Sequence, residues 1–213
     1  MQFSALGGFM RKILLVVVFC FFFVSNAHAA SIKLAIIAPE GSAWANVMKE
    51  MGAELKKRTS GRWDLKLYAG GVAGDEKVVV KKMKIGQLDA AAFTGVGLGD
   101  IYPAIRVLEL PFLFDNSKEV DYVVGKLLPD IKAGFSSKGY EFLGWAEAGF
   151  VHIFSNKPIR GLSDMKGVKM WMWQGDPLAE KMYNSLGVVP VPLALPDVMM
   201  ALQTKMISGV YAP

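Results

Sequence analysis

Along residues 32–203 the apolar residues change period repeatedly, from short runs to a three-and-four spacing and back. Residues 32–38 form an apolar-rich run closed by Pro39 and Gly41, which predicts a buried strand. Trp44, Val47, Met48, Met51 and Leu55 then recur on one face of a helix that Ser60-Gly61 stops. Residues 63–68 predict a second strand, Asp75 caps a helix that Gly86 ends, and residues 88–93 predict a third strand. Strands alternating with helices restrict the chain to an α/β fold, with a mostly parallel sheet covered on both faces.

The pattern continues with an apolar stripe of Val120, Val123, Val124, Leu127, Leu128 and Ile131, which Pro129 is expected to break or bend. Residues 140–146 and 151–155 predict strands around Gly149, and residues 169–173 a strand between Gly167 and Gly175. Asp176 can cap a helix that ends at Gly187, residues 188–192 are extended, and Pro196 opens a last helix through Gln203.

Hydrophobic residues make up 53% of the 213, a value that admits either a soluble domain or a membrane protein. Their distribution decides. Met10-Arg11-Lys12 is a short positive region, residues 13–24 are twelve apolar residues, and Ala27-His28-Ala29 is an A-x-A site, so residues 1–29 read as an export signal cleaved after Ala29. Twelve helical residues would cross only ~18 Å of a hydrocarbon core about 30 Å thick, so the run is too short for an anchor. No later apolar run is long enough to span a bilayer, and the exported chain is expected free in an extracytoplasmic space, without membrane insertion.

Removal of the signal takes Arg11 and Lys12 from the 24 basic residues, leaving 22 against 19 acidic and a net charge of +3, too little for nucleic-acid binding by charge alone. It also removes Cys20 and His28. His152 is then the single histidine, so disulfides, thiol catalysis and two-histidine metal sites are excluded, and neither metal nor cofactor is expected. Gly95-Val96-Gly97-Leu98-Gly99 follows a strand but has Asp100 where a dinucleotide fingerprint needs glycine, and reads as a flexible turn at a strand's carboxyl end. Lys77, Lys81, Lys82 and Lys84 read as a solvated helix face, and Asp176 as a cap.

Ordered fragments carry a family resemblance: Pro39-Glu40-Gly41-Ser42 after the first strand, Thr59-Ser60-Gly61-Arg62, Gly86-Gln87-Leu88-Asp89, Leu110-Pro111-Phe112-Leu113-Phe114, Ser155-Asn156-Lys157-Pro158-Ile159, Asp164-Met165-Lys166-Gly167-Val168-Lys169 and Ala201-Leu202-Gln203-Thr204. Nearly all of the exported chain resembles the DctP-type solute-binding subunit of a tripartite ATP-independent periplasmic (TRAP) transporter. The resemblance implies a type II-like fold of two α/β lobes closing on a small organic solute, delivery to integral-membrane permease subunits, and no enzymatic turnover. It further implies a first lobe over residues 30–148 and a second over 149–213, with the second lobe and the long linking helix incomplete.

The chain departs from the family pattern at the ligand. Family members commonly hold organic acids with arginines and an asparagine at the positions matched here by Trp171, Val151 and Ala212. A carboxylate buried without such partners is left with an uncompensated desolvation cost. The expected ligand is therefore apolar or weakly polar, lined by Val151, Trp171 and Ala212, with Trp173 on the same strand face as Trp171. Trp44, Phe93 and Thr94 lie at strand ends where α/β sheets bind ligands, and Glu147 and His152 are the expected polar contacts. Three alternatives remain: tryptophans that fill the core while Lys169 or Lys157 holds an organic acid, a carrier of a lipid-like molecule, and an enzyme using Glu147 and His152.

Overall fold

A computed structural model describes residues 30–213; residues 1–29, read from sequence as an export signal cleaved after Ala29, lie outside the described residues. The first sheet is built on β1 (Ala30–Ile36), flanked by β2 (Trp63–Tyr68) and β3 (Ala90–Ala92), all parallel. Parallel neighbours cannot be joined by a tight turn, so α1 (Ala43–Arg58) and α2 (Glu76–Lys84) serve as crossovers. Ser42 starts α1 by accepting the N–H of Ala45 at 3.2 Å, and Asp75 starts α2 by accepting that of Val78 at 2.9 Å. Beyond β3 the chain forms α3 (Gly95–Ile101), a 3₁₀ segment (Pro103–Glu109) and α4 (Ser117–Ser136).

A second sheet contains β4 (His152–Ser155), β5 (Lys169–Trp173), β6 (Val189–Leu193) and β7 (Gly209–Ala212), in the spatial order β4-β7-β5-β6. β5 runs parallel to both neighbours, and β4 is antiparallel to β7. Its helices are α5 (Pro177–Ser185), started by Asp176 as the sequence predicts, and α6 (Val198–Gln203). Each half of the chain has its own main core. Val80, Ile105, Ile131 and Phe135 centre one, and Met170, Met172 and Tyr183 the other.

Three expectations are corrected. α4 is not broken at Pro129: the ring removes one backbone donor, but burial of Val124, Ile131 and Phe135 on either side of it holds one continuous helix. Residues 140–146 are not a strand, because no ladder partner lies beside them among the described residues. The Gly95 to Gly99 motif is not a turn but most of α3, started by the Thr94 hydroxyl accepting the N–H of Val96 at 3.3 Å. All three of its glycines sit in close approach: a Cβ at Gly95 would overlap the Glu109 carboxylate, one at Gly97 the Phe93 ring, and one at Gly99 would lie 2.8 Å from Cγ and Cδ of Arg106.

Candidate functional site

The carboxyl ends of β1 and β5 face one another across a cleft. Its hollow of about 230 Å³ is lined by Ile37, Pro39, Glu40 and Asp75 from the first sheet's half and by Trp173 and Pro196 from the second. This is where ligands sit in open α/β sheets, outside the strands' carboxyl ends. A larger hollow between the 3₁₀ segment and α4, about 520 Å³, draws no residue from the second half.

Two cations cross beside the cleft. Nη2 of Arg106 donates to Oδ1 of Asp176 at 2.9 Å, and Nζ of Lys77 donates to the carbonyl of Gly175 at 3.1 Å. Both acceptors lie in the turn after Trp173. The Asp176 side chain is 4% exposed and that of Arg106 is 17% exposed, so the pair is largely shielded from water. Nε of Arg106 lies 2.7 Å from Oε2 of Glu109 but is aligned too poorly for a hydrogen bond, leaving that N–H without an acceptor. Partial burial pushes the Glu109 carboxyl above the ordinary carboxylate range; the Arg106 charge opposes this and the Asp176 charge adds to it.

Behind this pair, Glu76 is buried on α2 and fixes the start of α3. Its carboxylate accepts the N–H and hydroxyl of Thr94, each at 2.6 Å, and the N–H of Gly97 at 2.8 Å. Burial still pushes Glu76 above the ordinary range, because the cost of desolvating its charge outweighs the three bonds that favour it.

Of the residues singled out from sequence, Trp173 alone lines this hollow. Trp171 is 3% exposed, donates its indole N–H to the carbonyl of Leu193 at 3.0 Å, and packs with Val198, Ala201 and Ile207. Its ring stacks on Tyr211 at 5.3 Å and lies 5.1 Å from that of Trp173. The expected aromatic wall at position 171 is thus core, because α6 and β7 cover the middle of β5. Phe93 packs into the first half's core, and Thr94 spends its polar groups on Glu76 and the start of α3. Trp44 is 41% exposed on the first turn of α1.

His152 and Ala212 face each other in the β4–β7 register, with exposed Val151 just before them, so the structure gathers these three at one sheet edge. Glu147 is exposed and accepts from the Ser117 hydroxyl at 2.9 Å, and no hydrogen bond joins it to His152 among the described residues. Lys157 and Lys169 are exposed. Sequence reasoning missed Arg106, whose signal was available: a lone basic residue, three before Glu109, in the otherwise apolar stretch between Pro103 and Pro111. Among the described residues no His, Cys, Asp and Glu cluster is placed to hold a metal, and no helix is long and apolar enough to cross a membrane.

The family described as bacterial extracellular solute-binding protein, family 7, matches residues 34–213. A solute-binding protein of Chromohalobacter salexigens is 30% identical over 176 residues, which are 80% of this chain and 50% of that one. A TRAP periplasmic solute binding protein from Pseudomonas putida F1, solved with bound D-glucuronate, is 29% identical with a TM-score of 0.78, over 85% of this chain and 60% of that one. Another from Ralstonia eutropha H16, solved with bound (S)-2-acetolactate, is 26% identical with a TM-score of 0.81, over 87% and 60% of the two chains. The chain therefore spans about half the length of that curated relative and 60% of the two solved ones.

Proposed function

Because the chain belongs to family 7 of the bacterial extracellular solute-binding proteins, the solute-binding subunits of TRAP transport, we propose that it captures a hydroxylated organic acid between its two lobes in the periplasm. From there it hands the solute to integral-membrane permease subunits of a TRAP transporter. The lobe boundary falls near Gly149, between the two sheets.

One observation carries the choice of ligand: two cations, Arg106 and Lys77, reach the turn that follows the cleft's indole, Trp173. The hollow is lined mainly by apolar residues and glycine, with Trp173 as an aromatic wall and Glu40 and Asp75 as its charged residues, the first paired with Lys49 and the second capping α2. That set suits a solute carrying hydroxyls, an apolar ring face and one acidic group. The bound sugar acid and hydroxy acid of the two solved relatives support the same class. It replaces the apolar solute expected from Val151, Trp171 and Ala212, since Trp171 turns into the core and the other two lie at the β4–β7 edge.

Thermal-shift titration of the full chain tests the reading, with D-glucuronate, succinate and an aliphatic alcohol as probes. A ligand at a hundred times its Kd stabilises the folded state by about 2.7 kcal/mol, which is readily seen as a rise in Tm. D-glucuronate is expected to raise the Tm most. A response to the alcohol alone would overturn the acid reading.

A further inference from the structure

The acid needs a cation, and neither Val151 nor Trp171, both expected at the ligand, carries a charge. Among the described residues Arg106 has the features of a replacement. Its guanidinium makes one hydrogen bond, to Asp176; Nε lies 2.7 Å from Oε2 of Glu109 without being aligned to donate, and the other amino group makes no hydrogen bond. A planar fork with spare donors, shielded from water, matches a carboxylate's two oxygens. The arm's path is built as well: Cγ and Cδ of Arg106 lie across Gly99, where any side chain would obstruct them.

Its present acceptor has a second occupation. Oδ1 of Asp176 also accepts the N–H of Leu178 at 3.0 Å and of Ala179 at 3.4 Å as the cap of α5. Asp176 can give up Arg106 and remain a cap. The turn that carries Asp176 also carries Trp173, the indole on the cleft wall.

We infer that Arg106 is the specificity-determining residue that takes the ligand's carboxylate, and that Asp176 is a built-in competitor holding Arg106 until an acid displaces it. This rests on the organic-acid reading above. An acid trades one carboxylate for another on the same fork, whereas a neutral solute offers Arg106 nothing in return and leaves the pair intact.

Isothermal titration of the full chain with D-glucuronate and with D-glucose, its uncharged counterpart, tests the assignment. Arg106→Gln should weaken D-glucuronate binding by ~30-fold or more, the scale of a lost charged hydrogen bond. Asp176→Asn, which keeps a capping oxygen but loses the competing charge, should tighten it about 3- to 10-fold, and neither change should alter the response to D-glucose. Arg106→Lys keeps the charge and the stem over Gly99 but loses the fork; it should give an intermediate loss, and it decides the matter if circular dichroism shows Arg106→Gln unfolded. D-glucuronate binding within about 2-fold of the parent in the Arg106 variants overturns the anchor while leaving the organic-acid reading standing. No binding of D-glucuronate, succinate or (S)-2-acetolactate by the parent overturns both.

Discussion

The Glu76 carboxylate receives both the backbone N–H and the hydroxyl of Thr94, each at 2.6 Å, and so ties α2 to the point where β3 becomes α3. The same carboxylate takes the N–H of Gly97, so one buried charge orders the segment that leads to Arg106.

Glu76→Gln keeps the shape but turns an amide N–H₂ toward groups that are themselves donors. One of the three bonds at least must fail inside the core, where an unsatisfied donor costs about 1–3 kcal/mol. Urea unfolding should show a lower midpoint with an unchanged slope. An unaltered midpoint would remove Glu76 from this role.

The pH dependence of stability has a definite sign. Glu76 holds its proton more tightly folded than unfolded, so its contribution favours the folded state at low pH and is lost as pH rises from the ordinary carboxylate pKa to the higher folded one. Glu109 acts in the same direction, with burial as its main cause. Melting temperatures from about pH 4 to 8 should therefore fall less steeply with pH in Glu76→Gln than in the parent, because the variant has one fewer group titrating in that interval.

Trp171 belongs to the core on the second sheet. Trp171→Ala should cost ~3–5 kcal/mol, as for other large-to-small changes at buried aromatic positions. Trp171→Phe, which keeps the stack on Tyr211 and loses the bond to Leu193, should cost less and leave D-glucuronate affinity within about 2-fold. Chemical denaturation paired with calorimetric titration separates the two quantities.

Trp173 should behave in the opposite way. It is partly exposed at the cleft wall, so Trp173→Ala should lower D-glucuronate affinity by ~10-fold, the scale of one lost aromatic contact, with a smaller stability loss than Trp171→Ala. If affinity stays unchanged while stability collapses, the cleft assignment of Trp173 is wrong.

Much of the first half was legible from local signals. Asp75 caps a helix where the pattern places it, and β2 occupies the predicted residues, because caps and periodicity report contacts only a few residues apart. Residues 140–146 carry strand-like composition without forming a strand, since a strand also needs a neighbour and composition does not supply one. β7 went unrecognised for the converse reason: its four residues gain their order from β4 and β5, which are distant in sequence.

The candidate site shows the same division. Period two correctly puts Trp171 and Trp173 on one face of β5, but parity says nothing of what covers that face. Trp171 sits mid-strand beneath α6 and against Tyr211, whereas Trp173 ends the strand and reaches the cleft. Alternating period, capping residues and the absence of cysteine from residues 30–213 are properties of neighbours and of composition, and the sequence by itself determined them. The burial of Trp171 was decided by α6 and β7 packing over β5, and the Arg106–Asp176 pair, made across 70 residues, by the two halves meeting beside the cleft, because desolvation and charge pairing depend on where atoms lie in space and not on their order along the chain.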